Sequence, residues 1–353
     1  MPWADALIQS QSQSQSRSLT SQVEGRVLSY VDALNEALAL ALDLDPNVFV
    51  LGQGVNDPSA MFGVTRQLEQ RFGAKRVFDT PLSEEGLTGI CTGAAMTGLR
   101  PVYLHNRPDF FLLAFNQIVN HAAKIHYMDN GQTNVPLVMW AAIGRGWGSG
   151  AQHSQAIQGL LLTVPGLRIL MPSTPYDAKG LMLSAIADNN PVLIFEHRWL
   201  MKQTGFVPEG LYKVAIGDAV YRQRGDDITI VGSSHALHIA IEAMNRINDE
   251  TISADIISAD IIDLRSIKPL DKHLIIESTR KTGRILIVDT GWAMGGVCAE
   301  IGCLIAETCP ESLRHPVRRI GLPDVPTPAG FTLEQFYYPT AEKMAAVITE
   351  MCG

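Results

Sequence analysis

Two neighbouring carboxylates, Glu84 and Glu85, open a glycine-rich run after the short apolar stretch Val77-Phe78 and a turn at Pro81. Ser83 precedes them, a residue type that accepts a hydrogen bond from an orphan amide of a first helical turn. A helix start favours ionised carboxylates, so one such acid aimed into a cleft can hydrogen-bond a ring nitrogen of a bound cofactor. The plainer alternative is a capped helix with two solvated acids. His153 ends the run Gly148-Ser149-Gly150-Ala151-Gln152-His153. Its imidazole can donate to or protonate a developing oxyanion near neutral pH, though a lone loop histidine is more often polar surface. Phe110, Phe111 and Phe115 stand at helical spacing, a pattern that is more often core.

These residues need elements to hold them, and the apolar patterning alternates strand with helix. The pattern predicts helices over 30–44, over 110–128, over 176–188 and in a small-residue run after Ser83. Strands are expected over 48–51, 101–104, 135–142, 167–171 and 192–195. This alternation means a parallel sheet with helices on both faces. Residues 201–214, with Gly205, Pro208 and Gly210, read as a linker. A second alternation follows, with strands expected over 228–231, 254–262, 285–288 and 317–320. Helices fit 235–247, 272–279 and 294–307.

A chain of 353 residues suits two domains, each large enough for its own core. A net charge of −8 with no basic stripe argues against a nucleic-acid groove. No apolar run reaches the roughly 18 residues of a membrane span. Five cysteines without paired spacing read as buried thiols in a reducing compartment. Residues 1–24, dominated by Gln-Ser repeats, are expected to form a disordered arm. The arm has no apolar signal core and only Arg17 as a cation, so a cytoplasmic location is expected.

The stretch Asp79–Ala95 resembles the pyrimidine-binding region of the beta subunits of 2-oxoacid dehydrogenase first components, of the pyruvate, branched-chain and acetoin types. The resemblance runs from about residue 26 to the C-terminus. It includes Gly98-Leu99-Arg100-Pro101, Asn116–Lys124, Ala151–Gln155, Asp188–Pro191, Asp263–Asp271, Gly295–Ile301 and Asp324–Pro328. It implies a two-domain α/β fold: a transketolase-like pyrimidine-binding domain over 25–200, and a smaller transketolase C-terminal-like domain over 215–353. It implies thiamine diphosphate as cofactor, with Glu84 activating it, Phe110 packing on its aminopyrimidine and His153 contacting the 2-oxo acid. Leu137, Ala185, Asp188 and Asn190 match positions that frame a monovalent-cation (K⁺) site in some relatives. In this superfamily a Gly-Asp-Gly…Asn motif holds the diphosphate and Mg²⁺. This sequence lacks it, so an alpha subunit is expected to supply that half in a heterotetramer.

Two departures from the family stand out. Gln53 replaces a usual acid, which puts a proton relay between active sites in doubt. His105-Asn106-Arg107-Pro108-Asp109 replaces an apolar-aromatic run. It suggests a more polar substrate or a different acceptor, or else a salt-bridged surface loop. The reading is decarboxylation of a 2-oxo acid with acyl transfer to lipoamide on an acyltransferase partner. One alternative is a split-subunit, thiamine-dependent transferase of the transketolase or acyloin-forming kind. A non-catalytic scaffold is another.

Overall fold

A computed structural model describes residues 3, 7–9, 26–57, 59–144, 148–250 and 256–353. Its larger sheet has seven strands. Their order is Ser266–Lys268, Arg168–Leu170, Val192–His197, Val138–Ile143, Arg100–His105, Val48–Gly52 and Val77–Asp79. Every neighbouring pair is parallel except the first, where Ser266–Lys268 runs antiparallel to Arg168–Leu170. All six residues of Val138–Ile143 are buried, as expected for a strand covered on both faces. Val138, Trp140 and Ala142 join a core with Leu34 and Leu38 of helix Tyr30–Leu44 and Leu181 of helix Pro175–Ala187. Met139, Ala141 and Ile143 join the opposite core with Cys91, Ala95, Ile118 and Leu161.

The second sheet has the order Val220–Gln223, Ala259–Asp263, Ile228–Gly232, Ile285–Trp292, Arg318–Leu322. Only its first pair is antiparallel. Helices Ser234–Glu250 and Ala341–Cys352 bury Leu237, Ala240, Met344 and Ile348 on one face. The other face, with Val231, Ile262 and Ile287, merges into the core that holds Met139 and Ile118. The two α/β units therefore share one apolar interior. Among the described residues no helix is long and apolar enough to cross a membrane.

A buried ionic knot joins the two units. Asp177, in the first turn of Pro175–Ala187, pairs with Arg222 and with Arg265 (3.3 Å), and Arg222 Nη2 also meets Asp263 at 2.7 Å. Ser173 Oγ donates to Asp263 Oδ1 (2.9 Å) and accepts from the amide of Ser234 (2.7 Å). Burial alone would push the Arg222 guanidinium down, but Asp177 and Asp263 hold it above its ordinary value.

Two elements differ from expectation. Residues 110–128 do not form one helix. Pro108–Leu112 is a 3₁₀ turn, Gln117–Ala122 a π-helix and Ile125–Met128 a short α turn. The wide turn closes with the amide of Ala123 donating to Ile118 O (3.0 Å). Phe111, Ala114, Ile118 and Ala122 stay buried throughout, so the apolar spacing looks helical while the winding tightens and then loosens.

Within 201–214, Thr204–Phe206 pairs antiparallel with Val27–Ser29 and Tyr212–Val214 pairs parallel with Leu7–Gln9. Three-residue strands are too short for alternation to show. In the N-terminal arm, Trp3 is buried and its Nε1 donates to Asp45 Oδ2 (3.1 Å). Most of that arm, including its whole Gln-Ser tract, lies outside the described residues.

Candidate functional site

The parallel strands of the larger sheet end at Gly52, Asp79, His105, Ile143, Leu170 and His197. In open α/β sheets ligands bind outside this carboxyl edge. At Gly52 the backbone has φ +151°, and a Cβ would lie 2.2 Å from Leu104 O. Only glycine lets the two strands run that close there. Gly144 serves the same end after the central strand: at φ +93°, a Cβ would lie 2.5 Å from His197 Nε2.

Glu84 is the first residue of helix Glu84–Met96, directly after the edge strand Val77–Asp79 and its turn. It is 9% exposed, whereas Glu85 beside it is exposed. Among the described residues no hydrogen bond or ion pair occupies the Glu84 carboxylate. Tyr103 lies close enough to feel it: burial raises the phenol pKa, and the charges of Cys91 and Glu84 add to the rise. Ser83 holds the N-cap position but makes no capping bond. Its ψ is 69°, against 159° at Ser29 and 158° at Thr174, both of which do cap their helices. The cap inferred from residue type alone is therefore absent.

The segment 105–110 crosses the carboxyl edge, and the structure removes the surface-loop reading. His105, Arg107 and Asp109 are 3%, 8% and 5% exposed, and none of the three makes an ion pair among the described residues. His105 packs against Tyr103 (ring centroids 4.0 Å apart) and edge-on to Phe111 (4.4 Å). Burial pushes its imidazole pKa down to about 3, so it stays neutral. Arg107 donates to Ser149 Oγ at 3.1 Å and to Gly144 O at 3.5 Å. Asp109 Oδ1 accepts from the amide (3.1 Å) and Nε2 (2.9 Å) of Gln155, while Oδ2 is buried without a hydrogen bond. Burial raises the Asp109 carboxyl pKa against the pull of Gln155 and Arg107.

The structure brings Phe110 and His153 together. Their rings meet edge to face at 5.3 Å, with Phe110 half-buried and His153 exposed. The loop carrying His153 is tied down on both sides. Gln155 is held by Asp109, and Gln158 Nε2 reaches Asp289 Oδ1 (3.1 Å) within the strand Ile285–Trp292 of the second sheet. Burial raises the Asp289 carboxyl pKa to about 6. The neighbouring loop also closes this wall, since a Cβ at Gly148 would lie 3.1 Å from Ala329 O.

Leu137, Ala185, Asp188 and Asn190 gather at the opposite, amino edge of the sheet. Val192 N donates to Leu137 O (2.9 Å) and Val135 N to Asn189 O (3.1 Å). Arg100 Nη1 fills this corner, donating to Ile186 O (2.8 Å) and Asp188 O (2.9 Å). The Asp188 carboxylate binds Arg168 (3.1 Å) and the amide of Asn190 (2.8 Å). Among the described residues no cluster of three His, Cys, Asp or Glu could hold a metal ion.

Sequence reasoning passed over three residues. His197 ends the strand Val192–His197 and Arg198 follows it; the polar run Glu196-His197-Arg198 was the available signal. His197 stacks on His235 at 4.6 Å, and Arg198 lies over the Phe62 ring at 5.3 Å. Asp289 gave no local signal, since its partner Gln158 lies 131 residues away.

Residues 26–203 match the family model described as transketolase, pyrimidine binding domain, and 217–344 match transketolase, C-terminal domain. The chain is 39% identical to the 2-oxoisovalerate dehydrogenase subunit beta of Bacillus subtilis, over 92% of this chain and 98% of that one. It is 38% identical to the acetoin:2,6-dichlorophenolindophenol oxidoreductase subunit beta of the same organism, over 93% and 98%. It is 37% identical to the pyruvate dehydrogenase E1 component subunit beta of Rickettsia felis, over 91% and 97%. In fold it is similar to a split-gene transketolase solved as an inactive beta4 tetramer. The TM-score there is 0.72 at 22% identity, over 92% of this chain and 98% of that one.

Proposed function

Because the chain belongs to the transketolase-like family of 2-oxoacid dehydrogenase beta subunits, we propose that it forms half of a thiamine-diphosphate site that decarboxylates a 2-oxo acid. The observation that carries this reading is Glu84, nine-tenths buried at a helix start, with its carboxylate uncommitted among the described residues. A ring nitrogen of the cofactor's aminopyrimidine is a partner of the right chemistry for a carboxylate that nothing else among the described residues holds. When bound, thiamine diphosphate supplies a nucleophilic carbon that adds to the 2-oxo group and accepts the electrons released on decarboxylation.

This chain's residues then have distinct tasks. Glu84 accepts a hydrogen bond from the aminopyrimidine and fixes its tautomer. Phe110 packs on that ring. His153, edge-on to Phe110 and open to the cleft, donates to the oxygens of the 2-oxo acid. Asp109 holds Gln155, two residues from His153, and so sets the loop. The diphosphate and Mg²⁺ belong to the alpha subunit, because this chain lacks the Gly-Asp-Gly…Asn motif. A monovalent cation framed by Leu137, Ala185, Asp188 and Asn190 would share carbonyls with Arg100. Lipoamide on an acyltransferase is the proposed acceptor of the acyl group, and the proposed site of action is the cytoplasm.

Reconstitution tests this reading. The chain with its alpha subunit, thiamine diphosphate and Mg²⁺ should release CO₂ from 2-oxo acids, and either subunit alone should not. An assembled complex that releases CO₂ from no 2-oxo acid, yet transfers two-carbon units between sugars, would replace it with the split transketolase reading.

A further inference from the structure

Among the described residues four cationic side chains are less than a tenth exposed: Arg107, Lys179, Arg222 and Arg265. Three have carboxylates. Lys179 Nζ meets Glu36 at 2.8 Å, Arg222 meets Asp177 and Asp263, and Arg265 meets Asp177. Arg107 has none among the described residues. Its partners are two neutral oxygens, Ser149 Oγ and Gly144 O. Asp109 attracts it from two residues away without forming an ion pair, and Asp109 Oδ1 is bonded to Gln155. A second cation, the half-buried Arg198 at the end of the neighbouring strand, repels it. Burial, with that repulsion added, pushes the Arg198 guanidinium pKa down to about 10. Two arginines thus share the carboxyl edge of the sheet, three residues from Phe110 on one side and beside Gly144 on the other.

Burying a charge without an ion-pair partner costs several kcal/mol in general, and the fold pairs its other buried cations with carboxylates. We infer that Arg107, with Arg198 behind it, is the subsite for a second carboxylate at the far end of a dicarboxylic 2-oxo acid substrate. This inference rests on the proposed 2-oxo acid site. A guanidinium matches a carboxylate in a two-pronged pair that a point-charge ammonium does not reproduce. His153 lies in the same loop as Ser149, four residues on. The reacting 2-oxo end would sit near His153 and the distal carboxylate at Arg107.

The test uses the chain assembled with its alpha subunit. The substrates compared are 2-oxoglutarate and 2-oxopentanoate, which differ in a terminal carboxylate against a methyl. Wild type should favour 2-oxoglutarate in kcat/KM by about 100-fold, the scale of one good charged pair. Arg107→Met should collapse that ratio towards one by weakening the apparent affinity for 2-oxoglutarate while leaving kcat largely intact, and Arg107→Lys should restore part of it. Calorimetric titration with unreactive glutarate and pentanoate gives a readout without turnover: glutarate should bind the wild-type complex and lose that binding in Arg107→Met. A wild type that prefers 2-oxopentanoate, or an Arg107→Met that leaves the ratio unchanged, overturns the inference. If no 2-oxo acid is turned over while glutarate binding depends on Arg107, the decarboxylase reading fails and the anion subsite stands. Absence of glutarate binding to wild type removes the subsite.

Discussion

The ionic knot between the two α/β units and the charged group on the carboxyl edge are built from the same residue types and finished differently. In the knot, Asp177, Asp263, Arg222 and Arg265 are all buried and all paired. On the edge, Arg107 has no carboxylate, Asp109 keeps one buried oxygen without a hydrogen bond, and Glu84 is uncommitted among the described residues. Charges that complete one another hold the units together. Charges left incomplete are what the proposed site offers to a ligand.

Removing a partner from the knot should have the largest effect on stability. Arg222→Met strands two buried carboxylates and should cost about 3–5 kcal/mol, read as a lower midpoint in urea unfolding. Arg107→Met, although equally buried, should cost less than about 1 kcal/mol or stabilise, because it breaks no direct ion pair. Equal losses in the two variants would erase the distinction.

A third case lies between them. Glu196 is fully buried, and burial pushes its carboxyl pKa up to about 8 against the opposing pull of nearby Trp140 and Tyr30. A folded pKa above the unfolded one means that the folded state holds the proton longer, so this group's contribution falls as pH rises from about 4.5 to about 8. Glu196→Gln should therefore gain thermal stability relative to wild type across that window and match it at the acid end. A constant offset at all pH values would show that Glu196 does not titrate there.

The smallest effects concern the helix starts. Ser29→Ala and Thr174→Ala should each cost about 1 kcal/mol, since both hydroxyls accept a first-turn amide. Ser83→Ala should cost less than about 0.5 kcal/mol, because Ser83 makes no such bond.

Ser83 also shows where sequence reading stops. Its residue type and position are those of a cap, but a cap also needs the hydroxyl to meet a first-turn amide, and at Ser83 it does not. The parallel sheet was legible because strands such as Val192–Phe195 are continuous apolar runs bounded by turns. The 3₁₀ and π segments of 108–122 were not, because the buried positions keep a helical spacing while the backbone winding changes. The distinction between Glu84 and Glu85 rested on the family resemblance. Only the structure shows one buried and the other exposed. The unpaired state of Arg107 was out of reach, since it depends on which carboxylates fail to approach through the tertiary fold.

The role of Glu84 is the centre of this account, and exchange of the thiazolium C2 proton of bound thiamine diphosphate tests it most directly. In the complex of this chain with its alpha subunit, Glu84→Gln should slow deuterium exchange at that carbon by at least about 100-fold while the cofactor remains bound. Exchange as fast as in wild type would mean that Glu84 does not activate the cofactor.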